Sequence, residues 1–386
     1  MKKRVGIDVR AFLEGKRTGV EEYTLNLLKN LFELEKKESG IDYFLFYNSF
    51  KEPATFSRFL QKSAKSCRLK DFHFPNKIFN LSLKLFKRPY LDRLSGGVET
   101  FFMPSFRLAP LSKNARLVVT FHDLSFERYP EFFSRGRRFW HSLMNPREIA
   151  ARANKILAIS ASTRDDLISL YGVKPEKIKV TYLGVDKKYR LLDKDNPNFL
   201  KVKRKYHLPE NFILFLGTIE PRKNLVGLLR AFYLLKKKHK IKEKLVIAGI
   251  KGWLFEEVFE ANRKLGFKKD VIFTGFVADR DKPYLYNLAK VFVYPSFYEG
   301  FGFPPLEAAA CGTPVVTSNV SSLPEVIGSG GILINPFKPE EIAEAILSVL
   351  EDKEFREILV QRGLKKAKKF SWEKCARETR KILLNC

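Results

Sequence analysis

Short apolar runs rich in Val, Ile, Leu and Phe recur along the chain, separated by longer stretches with helical periodicity. Val5–Val9, Tyr43–Tyr47, Thr100–Met103, Leu117–Phe121, Lys155–Ile159 and Lys179–Tyr182 form a first series. Phe212–Leu216, Leu245–Ala248, Val271–Thr274, Val291–Tyr294 and Thr313–Thr317 form a second. Runs that are apolar throughout, rather than alternating, predict parallel strands covered by helices on both faces. Two such series predict an α/β protein of two doubly wound domains. The spacing also predicts a helix near 20–36, one near 224–238, a short one from about Pro305, and a last one after Ser371, an N-cap candidate. The seam is expected in 186–206, where a charged stretch leads into the polar Asp193–Asn198, giving domains over 1–190 and 206–370.

Composition supports this picture and adds a question. The 386 residues are 45% hydrophobic, enough to fill two cores and too many for a disordered chain. Cys67, Cys311, Cys375 and Cys386 are scattered and match no metal-ligand spacing, which suits a reducing compartment. No signal-peptide pattern and no bilayer-length apolar run is visible, so a cytoplasmic location is expected. The question is the charge: 71 Lys and Arg face 43 Asp and Glu, a net of +28, with +17 in 1–190 and +11 in 191–386.

The densest basic block is 51–90, where ten cations accompany only Glu52 and Asp71 and interleave with Phe72, Phe74, Ile78, Phe79, Leu81, Leu83, Leu85 and Phe86. A second such stretch is 132–140, from Phe132 to Trp140. Cations interleaved with large apolar side chains suit an anionic membrane surface, and a peripheral position at the inner face of the cell membrane is expected. A solvated basic face is the plain alternative. Nucleic acid is the third reading, and no helix-turn-helix, zinc-finger or RRM pattern supports it.

Candidate chemistry lies where strands end, because open α/β sheets bind ligands beyond the carboxyl ends of their strands. Thr18-Gly19-Val20 follows the first strand; Gly19 could let backbone N–H groups approach a phosphate, and a plain turn is the alternative. His122-Asp123 follows Leu117–Phe121 as a polar pair, either structural or functional. Gly217-Thr218-Ile219-Glu220-Pro221-Arg222-Lys223-Asn224 follows Phe212–Leu216. Two cations at a helix N-terminus oppose the helix dipole, and an anionic ligand there would resolve the conflict. The most informative stretch carries Glu299-Gly300-Phe301-Gly302 and then Glu307 in apolar surroundings, where carboxylates need a partner such as ligand hydroxyls or a cation.

In this order the blocks resemble the retaining GT-B glycosyltransferases of glycosyltransferase family 4, the group 1 glycosyltransferases, in their mannosyltransferase-like branch. The resemblance runs through Gly6-Ile7-Asp8-Val9-Arg10, Thr18-Gly19-Val20, His122-Asp123, Ile159–Thr163, Tyr182–Asp186, Gly217–Asn224, Glu299-x7-Glu307 and Val316–Val326. It implies two facing Rossmann-like domains, an acceptor-binding N-terminal one and a donor-binding C-terminal one, with helix 371–386 crossing back to the first. It further implies a nucleotide-sugar donor, a lipid-linked or oligosaccharide acceptor, and no cofactor or metal.

The roles implied by the resemblance follow residue by residue. Arg222 and Lys223 would hold the donor diphosphate, Glu307 the ribose hydroxyls and Glu299 the transferred sugar. Gly300, Phe301 and Gly302 would offer backbone contacts, Thr218 would line the donor site, Gly19 would approach the diphosphate, and His122 would lie near the sugar 6-hydroxyl. Many members carry Gly-Arg after the strand where this chain has Gly217-Thr218; Arg222 would then take that Arg's place. The expected reaction moves a hexose, with GDP-mannose the leading donor and GDP-fucose, UDP-glucose or UDP-N-acetylglucosamine the alternatives. A soluble acceptor, or a non-catalytic nucleotide-sugar-binding or scaffold protein, are the remaining readings.

Overall fold

The structure, a computed structural model, describes all residues except 1, 15–18, 51–55, 58, 60, 62–65, 194 and 268. It divides into two compact units. The first comprises Met1–Glu127, Gly136–Gly184 and Ser371–Cys386, and the second Arg128–Arg135 and Val185–Phe370. The division thus falls at Gly184/Val185 rather than in 186–206, and a short piece of the N-terminal half, Arg128–Arg135, belongs to the second unit. That piece carries Phe132, which stacks on Phe297 with ring centroids 5.5 Å apart and accepts a hydrogen bond at its carbonyl from Trp253 Nε1.

The first unit is built on a seven-stranded sheet in the order β3-β2-β1-β4-β5-β6-β7. Its strands are β1 Lys3–Asp8, β2 Ile41–Asn48, β3 Cys67–Phe72, β4 Thr100–Met103, β5 Arg116–Phe121, β6 Lys155–Ala158 and β7 Ile178–Val180. The second unit carries six strands in the order β10-β9-β8-β11-β12-β13. These are β8 Phe212–Leu216, β9 Lys244–Ala248, β10 Val271–Gly275, β11 Val291–Tyr294, β12 Val315–Ser318 and β13 Ile332–Ile334. All pairings within both sheets are parallel. The central strands β4, β8 and β11 are buried from end to end, as strands covered on both faces must be.

Two strands were not foreseen from the apolar pattern, and both are outermost in their sheets. β3 reads Cys-Arg-Leu-Lys-Asp-Phe with half its positions exposed, and β13 has three residues. An edge strand has one covered flank and is commonly charged or short, so the apolar run that betrays a central strand is missing. β3 also lies inside the basic block 51–90, of which Lys51, Glu52, Arg58, Lys62 and Lys65 lie outside the described residues. The short helix expected from Pro305 begins two residues earlier, spanning Phe303–Ala310 with Pro304 and Pro305 in its first turn, where a missing N–H costs nothing.

The last helix, Trp372–Asn385, starts as expected: the Ser371 side chain accepts from the Lys374 backbone N–H at 3.1 Å. Its buried positions, Trp372, Cys375, Ala376, Thr379 and Leu383, form one stripe that packs on the helix Gly19–Lys37 within the first unit. Arg380 adds ion pairs to Glu35 at 3.5 Å and Glu38 at 3.3 Å. The helix can approach because residue 184 has no side chain; a Cβ there would stand 2.1 Å from the Trp372 backbone nitrogen and 2.5 Å from the Ser371 carbonyl carbon. Backbone cannot step aside like a side-chain tip. Gly184→Ala is therefore expected to destabilise the chain by about 1–3 kcal/mol or more, read by chemical denaturation; an unchanged midpoint would mean that the helix start is not held there. Among the described residues no helix is long and apolar enough to cross a membrane.

Candidate active site

In each sheet the strand order reverses once, between β1 and β4 in the first unit and between β8 and β11 in the second. At such a switch point the loops leave in opposite directions and open a crevice at the carboxyl ends of the strands. The residues singled out in the second half leave β8 and β11, the two strands flanking that point.

After β8 the chain passes Gly217 and the half-buried Thr218 and makes a tight turn over Pro221–Lys223. Asn224 closes the turn in the left-handed region at φ 54°. Its Oδ1 accepts from Gly227 N–H at 3.2 Å, capping the helix Leu225–Lys238, while its Nδ2 donates to the Pro336 carbonyl at 2.6 Å. The loop bearing Arg222 and Lys223 is thereby fixed at its exit.

After β11 the chain enters Pro295–Gly302. Glu299 is pinned at both backbone groups: its N–H donates to Ser321 Oγ and its carbonyl accepts from Ser322 Oγ, each at 2.9 Å. Gly302 sits at φ 100°, and a Cβ there would stand 2.7 Å from Leu323, so glycine is required where the loop turns into the helix Phe303–Ala310. Phe301 is buried against Phe303 and Phe370, and Gly300 is buried beside it.

These two loops bring four charged side chains into one network, in which Glu220, Lys223 and Glu299 are buried and Arg222 is half-buried. Glu299 Oε1 accepts from Lys223 Nζ at 2.6 Å and its Oε2 from Arg222 Nη1 at 3.0 Å. Arg222 also donates to Glu220 Oε1 at 3.0 Å and to the Tyr298 carbonyl at 3.0 Å. Lys223 Nζ further donates to Tyr294 Oη at 2.7 Å. The two cations that seemed to await an anionic ligand at a helix start are thus already paired within the chain, by Glu220 and Glu299. Burial alone would push the Glu299 carboxyl upward, but Arg222 and Lys223 together override it and hold it below the ordinary glutamate value. Burial and the neighbouring Arg222 pull the Lys223 ammonium below the ordinary lysine range, against Glu299 and Glu220. Such a lysine gains from any further negative charge placed beside it.

Glu307 lies buried on the helix Phe303–Ala310, where its Oε2 accepts from Tyr286 Oη at 2.8 Å. Burial, with Glu307 alongside, raises the Tyr286 phenol well above its ordinary value, so it remains a donor. Glu220, Tyr286, Tyr294, Ser321 and Ser322 were not singled out from the sequence. Glu220 lies inside the quoted Gly217–Asn224 block and Tyr294 ends β11, but no spacing rule pairs either with residue 223; Tyr286 is 21 residues from its partner.

In the first unit His122 follows β5. Its Nε2 lies 2.8 Å from the Pro104 carbonyl, which can only accept, so the ring carries its proton on Nε2. Tyr23 packs edge-on to the ring at a centroid distance of 4.9 Å. Burial lowers the His122 pKa, with Pro104 and Asp123 offsetting part of the effect, and the imidazole is neutral at neutral pH. Asp123 is engaged elsewhere: its Oδ1 accepts from the Ser125 N–H at 3.0 Å and from Ser125 Oγ at 2.7 Å. His122 and Asp123 are therefore neighbours with separate local partners. At the end of β1, Asp8 takes a two-pronged contact from Arg10 at 2.9 and 2.6 Å, and Arg10 also donates to the Leu108 carbonyl at 3.0 Å. Gly19 opens the helix Gly19–Lys37, and Thr18 lies outside the described residues.

Residues 18–189 match the family model for Glycosyltransferase Family 4, and residues 198–366 that for Glycosyl transferases group 1. O-antigen chain mannosyltransferase B of Escherichia coli is 38% identical over 76% of this chain and 74% of that protein. The serotype-specific mannosyltransferase WbdA of E. coli is 34% identical over 68% of this chain, which spans only 32% of that longer protein. Among solved structures, Anabaena Alr3699/HepE in complex with UDP and glucose superposes with a TM-score of 0.73, covering 100% of both chains at 19% identity. At that identity the likeness is one of fold, the GT-B arrangement of two parallel-sheet α/β domains.

Proposed function

The chain belongs to the group 1 glycosyl transferases and is a glycosyltransferase; on that premise we propose that it transfers mannose from GDP-mannose, with retention and without a metal, to a lipid-linked or polysaccharide acceptor. The observation that carries this reading is the paired Arg222–Lys223 turn at the β8/β11 switch point, with Glu299 between the two cations. The mannose assignment is supported by the two E. coli relatives, both named mannosyltransferases, and the glycan acceptor by the name O-antigen chain mannosyltransferase.

The chemistry follows from where charge develops. As the bond from the sugar C1 to the diphosphate oxygen breaks, C1 becomes oxocarbenium-like and negative charge builds on the departing GDP. Arg222 and Lys223 face that charge, and stabilising it more in the transition state than in the ground state is what speeds the reaction. The acceptor hydroxyl forms its bond to C1 on the face that GDP leaves, and its proton passes to the departing phosphate oxygen. The configuration at C1 is then retained, and no separate base is needed. Glu299 serves the sugar, Glu307 the ribose hydroxyls, the Gly300–Gly302 backbone the sugar or phosphate, and Thr218 lines the donor site. His122 addresses the 6-hydroxyl and Gly19 the diphosphate. The enzyme works as a peripheral protein on the cytoplasmic face of the membrane.

Thermal unfolding of the full chain with GDP-mannose, GDP-fucose, UDP-glucose and UDP-N-acetylglucosamine tests the donor. GDP-mannose is expected to stabilise the protein by about 2.7 kcal/mol at a hundred times Kd, with the others weaker, and NMR of the product should show an axial-to-axial outcome at C1. Stabilisation by a UDP-sugar alone would overturn the donor, and an inverted product the mechanism.

A further inference from the structure

The first unit holds a cavity of about 250 Å³ beside two helices, Asn76–Leu85 and Arg135–Met144. Its walls include Lys84, Lys87, Arg107 and Arg152, and Glu148 is the one carboxylate among the described residues that line it. The floor is apolar, supplied by Leu83 and Met103 among others. The cavity is smaller than the ~300–1,000 Å³ typical of pockets for drug-sized ligands. It suits an anionic headgroup rather than a whole amphiphile.

The flanking helices present apolar side chains outward. On Asn76–Leu85, Phe79 and Leu83 are buried, and the opposite face carries Ile78, Leu81 and Leu85 at i, i+3 and i+7, with Lys77 and Lys84 beside them. Ile78 is 68% exposed, Leu85 61% and Phe86 72%. On the second helix Phe139 is 69% exposed. Single exposed apolar residues need no explanation, but a cluster ringed by cations does. A solvated basic face would gain nothing from these side chains, and the Ile78, Leu81 and Leu85 stripe offers bases no π-face to stack on. Cations over an apolar stripe match the boundary between lipid headgroups and acyl chains.

We propose that this cavity is a binding site for the phosphate-bearing headgroup of an anionic membrane phospholipid, held by Lys84, Lys87 and Arg152 while Ile78, Leu81, Leu85, Phe86 and Phe139 enter the acyl boundary. The inference rests on the membrane placement proposed above and gives it a defined lipid site. Lys87 is already 3.7 Å from Glu148 Oε1, so a phosphate there would exchange one anionic partner for another.

The test uses the full chain and three arms. Sedimentation with phosphatidylcholine vesicles, with and without phosphatidylglycerol, reads membrane binding. Titration calorimetry with dihexanoylphosphatidylglycerol below its micelle concentration reads the cavity. Inorganic phosphate and dihexanoylphosphatidylcholine are the controls.

Wild type should sediment only with phosphatidylglycerol vesicles and bind the short-chain lipid saturably, with inorganic phosphate failing to compete. Each basic residue at such a surface is worth roughly five-fold, so Lys84→Gln/Lys87→Gln/Arg152→Gln should lose vesicle partitioning by on the order of a hundred-fold and abolish the calorimetric signal. Transfer to a soluble acceptor should be unchanged, which excludes misfolding. Ile78→Ser/Leu81→Ser/Leu85→Ser should weaken vesicle binding but keep the short-chain site. If vesicle binding holds while the short-chain lipid fails to bind, the cavity assignment falls and the membrane reading survives. If wild type ignores anionic vesicles, or an oligonucleotide displaces it from them, both fall.

Discussion

Glu299→Gln is expected to lower the stability of the chain at neutral pH by about 3–5 kcal/mol, the cost of removing one partner from a buried ion pair. The substitution keeps the shape and the backbone bonds to Ser321 and Ser322 but removes the charge shared by Lys223 and Arg222. Glu220 cannot compensate: it already takes Arg222 at 3.0 Å and reaches Lys223 only at 4.0 Å. The buried Lys223 and the half-buried Arg222 would then share one carboxylate. The pH dependence gives a second signature. Because the folded-state pKa of Glu299 lies below its ordinary value of 4.5, its contribution is fully present above that pH and is lost as pH falls through the lower folded value. Wild type and Glu299→Gln should therefore differ most near neutrality and converge in acid. Chemical denaturation across this range decides the matter; equal stabilities at neutral pH would show that Arg222 and Lys223 do not depend on the Glu299 charge for their place in the fold.

That network also marks how far sequence reasoning reached. Central strands such as β8 and β11 were legible because strands covered on both faces must be apolar throughout, and Phe212–Leu216 and Val291–Tyr294 stand as read. β3 was not, because an edge strand with charged residues resembles a solvated loop. The loops carrying Arg222, Lys223 and Glu299 were legible because charged residues at strand ends, among glycines and apolar neighbours, demand partners. Which partners was not legible. Pairing residue 222 with 299 depends on the β8/β11 neighbourhood, and pairing 286 with 307 on the packing of the helix Lys282–Leu288 against Phe303–Ala310; neither follows from spacing along the chain. The basic block was divided by folding in the same way: Phe79 and Leu83 went into the core, and Ile78, Leu81 and Leu85 did not.

Lys223→Ala should cost the most in turnover. If Lys223 acts on the leaving diphosphate, its loss should lower kcat by about 10²–10³-fold, the range seen when one preorganised donor to a developing anion is removed. KM for the donor should rise far less, since an interaction that strengthens in the transition state appears mainly in kcat. Lys223→Arg should not restore the rate. Nζ sits 2.6 Å from Glu299 and 2.7 Å from Tyr294 in a buried slot, and a guanidinium is wider than the ammonium it would replace. A purely structural role is separated by the choice of donor. With mannosyl fluoride in place of the nucleotide sugar, the leaving group carries no diphosphate, and the Lys223→Ala deficit should shrink to a few-fold on the same reasoning. If the deficit is as large with fluoride as with GDP-mannose, Lys223 acts by holding Glu299 in place and not by stabilising the leaving group.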